Sequence, residues 1–118
     1  MTASYLDRPS SELLRIDVSD TEARLNAAGE IDSTSAPVLK DRLNGLLDAG
    51  AGDITIDLTG VTFLDSAGLC VLAAAYRRST AEHRRLRVLA SSRAVMRPLQ
   101  ITGLWDLLQV EKTASGAA

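Results

Sequence analysis

Ile54-Thr55-Ile56-Asp57-Leu58-Thr59-Gly60-Val61-Thr62-Phe63-Leu64-Asp65-Ser66-Ala67-Gly68-Leu69 is the stretch on which the fold of this chain turns. Ile54, Ile56 and Leu58 alternate with Thr55 and Asp57, the period of a half-buried strand, and an apolar stretch of helical length starts at Ser66. At the junction stands Asp65-Ser66, two residue types favoured at helix N-caps. A hydroxyl there sits on a rigid backbone beside unpaired N–H groups and the positive end of the helix dipole. Such a hydroxyl caps, reacts, or carries a phosphate, and these residues alone leave the three readings open.

Working outward, Leu14, Ile16 and Val18 alternate with Arg15 and Asp17, and Leu25, Ala27, Gly29 and Ile31 alternate again after the polar turn Ser19-Asp20-Thr21-Glu22. That pattern predicts a hairpin. Ser33-Thr34-Ser35 offers candidate caps, Pro37 suits a first helical turn, and Val38, Leu39, Leu43, Leu46 and Leu47 fall on one helical face that ends near Ala49-Gly50. The helix from Ser66 to about Glu82 is apolar nearly all round in its first half, which predicts a buried central helix. Leu86, Val88 and Ala90 predict a further strand, and Ser92 a cap for a third helix whose face is Val95, Met96, Leu99 and Ile101, with Gly103 as its stop. Pro98 inside that helix predicts a kink or a short first segment, and Leu107 to Val110 a last strand. Strands joined by helices imply parallel neighbours with right-handed crossovers, and the hairpin adds an antiparallel edge. Alternating strands argue for helices on one sheet face only. The expected fold is thus a single α/β domain, a mixed four- to five-stranded sheet with helices mainly on one face.

At 118 residues the chain is long enough to bury a core without metal or disulfide. Only 3% of residues are aromatic, so the core must come from Leu, Val, Ile and Ala, and surfaces on which bases stack are scarce. Arg77, Arg78, His83, Arg84, Arg85, Arg87, Arg93 and Arg97 crowd one third of a chain whose net charge is −2. The acidic balance favours a solvated face over direct nucleic-acid binding, and an acidic protein surface is the third reading. Cys70, the only cysteine, lies among Leu69, Val71 and Leu72 and reads as a small buried hydrophobe. A reducing, cytoplasmic setting fits. Neither an export leader nor a membrane span is expected, because the longest apolar run, Leu69 to Tyr76, is far short of the ~20 residues a span needs.

Enzymatic readings fail on residue types. A nucleophile elbow needs Gly two positions before the serine, where Leu64 stands, and its base would have to be His83, at the far end of the helix that Ser66 begins. One Cys, one His and no clustered carboxylates predict no metal site. Gly50-Ala51-Gly52 lacks the Lys and Ser/Thr of a phosphate-binding loop.

Asp65-Ser66-Ala67-Gly68-Leu69, preceded by the strand Ile54 to Leu58 and by Phe63-Leu64, resembles the phosphorylation-site segment of the STAS domain family, specifically the bacterial anti-sigma factor antagonists. Gly29-Glu30-Ile31-Asp32 and Thr102-Gly103-Leu104 agree, and the resemblance covers roughly residues 12 to 111, leaving 1–11 and 112–118 as tails. Many members carry Ser or Thr where Ala67 stands, which leaves a single hydroxyl at this site. The resemblance implies a non-enzymatic protein that binds an anti-sigma factor with serine kinase activity, releases its sigma factor, and is switched off by phosphorylation at Ser66. ATP and Mg²⁺ would belong to that partner, so no cofactor is expected here. Asp65, Ser66, Ala67 and Gly68, flanked by Glu30 and Asp32, are the expected partner-binding residues. Asp65 orients the hydroxyl or contacts the kinase active site, with a plain helix-end charge as the alternative, Gly68 marks close packing or partner approach, and Glu30 and Asp32 have the alternative of plain solvated carboxylates. A reversing phosphatase, and a monomer or a weak dimer, stay open. The competing reading is an accessory subunit of a membrane transporter complex, whose relatives need no phosphorylatable serine.

Overall fold

The computed structural model describes residues 14–50 and 52–113, so the expected tail 1–11 and residues 114–118 of the other lie outside the described residues. Strand β1 (Leu14–Ser19) pairs antiparallel with β2 (Arg24–Ile31). Helix α1 (Ala36–Asp48) returns the chain to β3 (Ile54–Leu64), which lies parallel to β2. Helix α2 (Ser66–Ala81) leads to β4 (Leu86–Ala90), parallel to β3, and α3 (Arg93–Thr102) with the single turn α4 (Leu104–Leu107) leads to β5 (Glu111–Lys112), parallel to β4. The sheet order is β1-β2-β3-β4-β5, the mixed α/β arrangement with one antiparallel edge that the hydrophobic periods predict.

One sheet face is apolar and lies under the helices. Leu25, Ile31, Ile54, Ile56, Leu58 and Val88 are buried there with Leu39, Leu43, Leu46 and Leu47 of α1, Leu72 of α2, and Val95 and Leu99 of α3. Each such side chain contributes roughly 1.5–3 kcal/mol of burial. The other face is polar: the register sets Arg15 against Ala28, Asp17 against Asn26, Asn26 against Asp57 and Thr55 against Arg87. Ion pairs cross it, Arg24 to Asp57 and Arg87 to Glu111.

Several expectations are corrected. Strand β3 does not stop near Leu58 but runs to Leu64, because register shifts between Asn26 and Ala28 and between Gly29 and Glu30 keep β2 and β3 paired past the point where alternation fails. Only one stripe of α2 is buried, Gly68, Leu69, Leu72, Ala75 and Ser79, and Cys70 is exposed. Val38 and Ile101 leave the buried faces assigned to them; Ile101 is 77% exposed, being two residues past Leu99 on a helix whose buried positions are four apart. Pro98 does not create a short first segment: α3 is continuous from Arg93 to Thr102 although the ring removes the bond to the Ala94 carbonyl. Ser92 occupies the N-cap position, but its hydroxyl donates to the Val61 carbonyl at 3.1 Å and leaves the helix uncapped by a side chain. The segment from Leu107 is not a strand: Gly103 turns the chain at φ 82°, α4 follows, and β5 begins at Glu111 after Gln109 at φ 52°. Lys112, assigned to the carboxy-terminal tail, pairs with Ala90 in that strand.

Candidate functional site

The loops that follow β2 and β3 stand side by side at the carboxyl ends of two parallel strands, where open α/β sheets place their sites. Ile31 pairs with Leu64, and the Asp65 N–H donates to the Ile31 carbonyl at 3.1 Å, so the two loops share one anchor.

Asp65 is the N-cap of α2. Its backbone is extended (φ −108°, ψ −171°), and Oδ1 accepts from the Ala67 N–H at 2.9 Å and the Gly68 N–H at 3.4 Å. Two of the N–H groups that a helix start leaves without a partner are thereby satisfied. With that work done by Asp65, Ser66 is free of it: it is the first helical residue, is exposed, and its hydroxyl makes no hydrogen bond among the described residues. The contacts of Asp65 are those of a helix cap, and none is made to the Ser66 hydroxyl among the described residues.

Gly68 is buried beneath this turn. A Cβ built there would lie 2.4 Å from Leu64 Cδ1 and 2.7 Å from Ile31 Cγ2, so close packing, the first of its two readings, accounts for it. Ala67 is half-buried against the core. Among the six residues singled out, Ser66 alone is fully exposed; Asp65, Ala67, Glu30 and Asp32 are half-buried.

Asp32 builds the neighbouring loop. Its Oδ1 accepts from Thr34 Oγ1 at 2.7 Å, Thr34 N–H at 2.9 Å, Ser35 N–H at 3.0 Å and Ser35 Oγ at 3.2 Å. Those bonds, from the Thr34 hydroxyl and the Ser35 N–H first, hold its carboxyl below the ordinary carboxylate range against a smaller opposing effect of burial. Ser35 Oγ donates to the Glu30 carbonyl at 2.9 Å, which ties the loop to the end of β2. Asp32 is therefore a loop-forming carboxylate, and Glu30 faces Phe63 across the sheet. Together the arrangement presents the unbonded Ser66 alcohol at the helix start, beside the exposed Ser33 of the neighbouring loop, on a rim that carries the carboxylates of Asp65 and Asp32.

Elsewhere, three of the seven arginines of the cluster are taken up by ion pairs: Arg78 with Asp48 and Glu82, Arg84 with Glu82, and Arg87 with Glu111. Arg93 and Arg97 form none among the described residues and lie on α3 beside the end of β3. Phe63 and Ile101 are exposed next to them, a feature the sequence reading missed. Its one available signal was that Ile101 breaks the spacing of Val95 and Leu99. His83 lies past the far end of the 16-residue α2, about 24 Å from Ser66 at the standard rise, beyond the reach of a general base. Among the described residues no helix is long and apolar enough to cross a membrane.

Residues 14–109 match a family profile described as "Mlab, STAS domain". The chain is 34% identical over 105 residues to the anti-sigma-B factor antagonist of Bacillus subtilis strain 168, covering 87% of this chain and 95% of that relative. A solved anti-sigma factor antagonist from Mycobacterium paratuberculosis superposes with a TM-score of 0.77 at 31% identity, over 85% of this chain and 86% of that one. The fold is also that of the Bacillus cell fate determinant SpoIIAA in its phosphorylated form, with a TM-score of 0.63 at 18% identity, over 86% of this chain and 91% of that one.

Proposed function

The chain belongs to the STAS domain family, and on that premise we propose that it is an anti-sigma factor antagonist controlled by phosphorylation at Ser66. In its unmodified form it binds an anti-sigma factor and thereby frees a sigma factor. That anti-sigma factor is a serine kinase that supplies ATP and Mg²⁺ and modifies Ser66 in the cytoplasm. The chain itself binds and does not catalyse.

The observation that carries this reading is the division of labour at the start of α2. Asp65 caps the helix, so the Ser66 hydroxyl is exposed and unengaged on a backbone that modification need not disturb. A phosphoserine adds about −1.5 to −2 charges. The helix N-terminus offsets roughly 1 kcal/mol of that, so the fold survives. An interface does not. Once the rim is sealed, each new charge set ~5 Å from Asp65 or a partner carboxylate costs ~3 kcal/mol at an effective dielectric near 20, and a near-dianion about 5 in all. That approaches the ~5.5 kcal/mol needed to swing a two-state population from nearly all bound to nearly all free.

The test is to incubate the purified protein with candidate anti-sigma kinases and ATP and to map the modified residue by mass spectrometry. Phosphate on Ser66, lost in Ser66→Ala, is the expected result. Label elsewhere with Ser66 untouched defeats the assignment.

A further inference from the structure

Resting on that reading, we propose that the groove between the end of β3 and α3 is a second docking element for the anti-sigma factor, occupied by an amphipathic helix of that partner whose apolar ridge is flanked by carboxylates. The groove is a wide, open depression of about 660 Å³. Phe63, Leu64, Pro98 and Ile101 supply its apolar surface, with Phe63 47% and Ile101 77% exposed, and Arg93 and Arg97 stand among them.

Charge selects the occupant. Arg93 and Arg97 are one helical turn apart and lie on the same side of α3. Neither has a carboxylate partner among the described residues; Arg78, Arg84 and Arg87 of the same third of the sequence do, and Arg77 and Arg85, which also have none, do not line the groove. The first turn of α3 holds no acidic residue, so the dipole adds to the same sign. A helix laid in an apolar groove with carboxylates toward those guanidinium groups matches it in shape and in charge.

Continuity points to the same partner. Leu64, which lines the groove, directly precedes the Asp65 and Ser66 of the rim, so a protein that covers Ser66 reaches the groove without a gap. A specific interface buries roughly 800 Å² on each side around an apolar centre. The rim, with the exposed Ser33 and Ser66 and two carboxylates engaged in caps and turns, offers no such centre, and the groove supplies it. Ser66 then acts as the switch and the groove as the anchor.

The experiment is calorimetric titration of the kinase that labels Ser66 into the wild-type protein, Ile101→Glu, the double variant Arg93→Glu with Arg97→Glu, and Ser66→Asp. Melting curves establish that each variant folds; Ile101 is largely exposed, and the arginine pair is an independent second variant. Ile101→Glu is expected to weaken binding roughly tenfold to a hundredfold, as loss of an apolar anchor does. The charge reversal is expected to slow association and reduce its dependence on salt. Binding of Ile101→Glu and of the arginine variant within twofold of wild type, while Ser66→Asp is impaired, overturns the groove and leaves the reading of Ser66 intact. Absence of binding by the wild type overturns that reading and the groove with it. A homodimer of this chain that Ile101→Glu dissolves makes a second copy the occupant and also overturns the proposal.

Discussion

Gly68→Ala should destabilise this protein, although replacing glycine by alanine inside a helix ordinarily stabilises it. The ordinary gain is about 0.5–1 kcal/mol, from the unfolded chain's lost freedom and the better helix propensity. Against it, the new methyl would lie 2.4 Å from Leu64 Cδ1 and 2.7 Å from Ile31 Cγ2, both far inside van der Waals contact. Leu64 can swing its far end away, but Ile31 is β-branched, fully buried and held in β2, so its methyl cannot yield without moving the strand. Overpacking of this kind costs typically 1–3 kcal/mol. The balance is a net loss of about 1–2 kcal/mol, a fall in melting temperature of roughly 4–8 °C for a domain of this size. Gly45, in α1, provides the control, because nothing lies within 4 Å of a Cβ built there. Gly45→Ala should raise stability by about 0.5–1 kcal/mol. Thermal and urea unfolding of the two variants beside wild type decide the matter. Equal stabilisation by both substitutions would refute the packing role assigned to Gly68 and the rigid support it gives the Ser66 turn.

Asp65→Ala should remove the cap of α2 and cost about 1 kcal/mol in urea unfolding, while Asp65→Asn, which caps as well, should stay within a few tenths of wild type; equal loss in both would mean that charge and not capping is what counts. Asp57 is subject to burial, which raises its pKa, but the hydrogen bonds from Thr59 and the Arg24 contact outweigh this and hold its carboxyl below the ordinary 3.8, as bonds from Thr34 and Ser35 do for Asp32. In the window below 3.8 the unfolded chain therefore takes up protons before the folded one, so their stabilisation is complete well above that value and is lost as pH falls through the folded pKa values. Asp57→Asn should make the loss of stability between pH 6 and pH 3 smaller than in wild type, read from urea midpoints, and an unchanged loss would contradict the assignment. Asp32→Ala should loosen the loop between β2 and α1, with faster amide exchange at Thr34 and Ser35, whose N–H groups it now binds.

Much of this architecture could be read in the sequence because most of it follows local rules. Leu14 to Val18, Leu25 to Ile31 and Leu86 to Ala90 alternate over strand-length spans, and Pro37 and Gly103 punctuate helices where their backbones permit. Ser66 was legible for the same reason: Asp-Ser between a strand and an apolar run marks a helix start in any chain. What escaped depends on neighbours distant in sequence. The second half of β3 buries Leu58, Val61 and Leu64 at intervals of three, which reads as neither strand nor helix until the shifted pairing with β2 is known. Ser92 has the residue type of a cap, yet the Val61 carbonyl, thirty-one positions away, takes its hydroxyl. Hydrophobic neighbours point Cys70 inward, and only the direction of α2 against the sheet puts it outside, whereas Ile101 is out of step with the buried Val95 and Leu99. At the site, periodicity could find the serine but could not tell which of two adjacent polar residues caps; the pair of bonds to Asp65 Oδ1 settles that division.

The central claim is that a phosphate on Ser66 acts on an interface and leaves the domain folded. Its most direct measurement compares enzymatically phosphorylated and unmodified protein in two readouts, affinity for the kinase that placed the phosphate and the thermal transition. The account predicts a loss of affinity of roughly 10³-fold or more, from about 5 kcal/mol of repulsion, with the melting temperature within a few degrees of the unmodified protein. Unchanged affinity, or a modified protein without a cooperative transition, would contradict it.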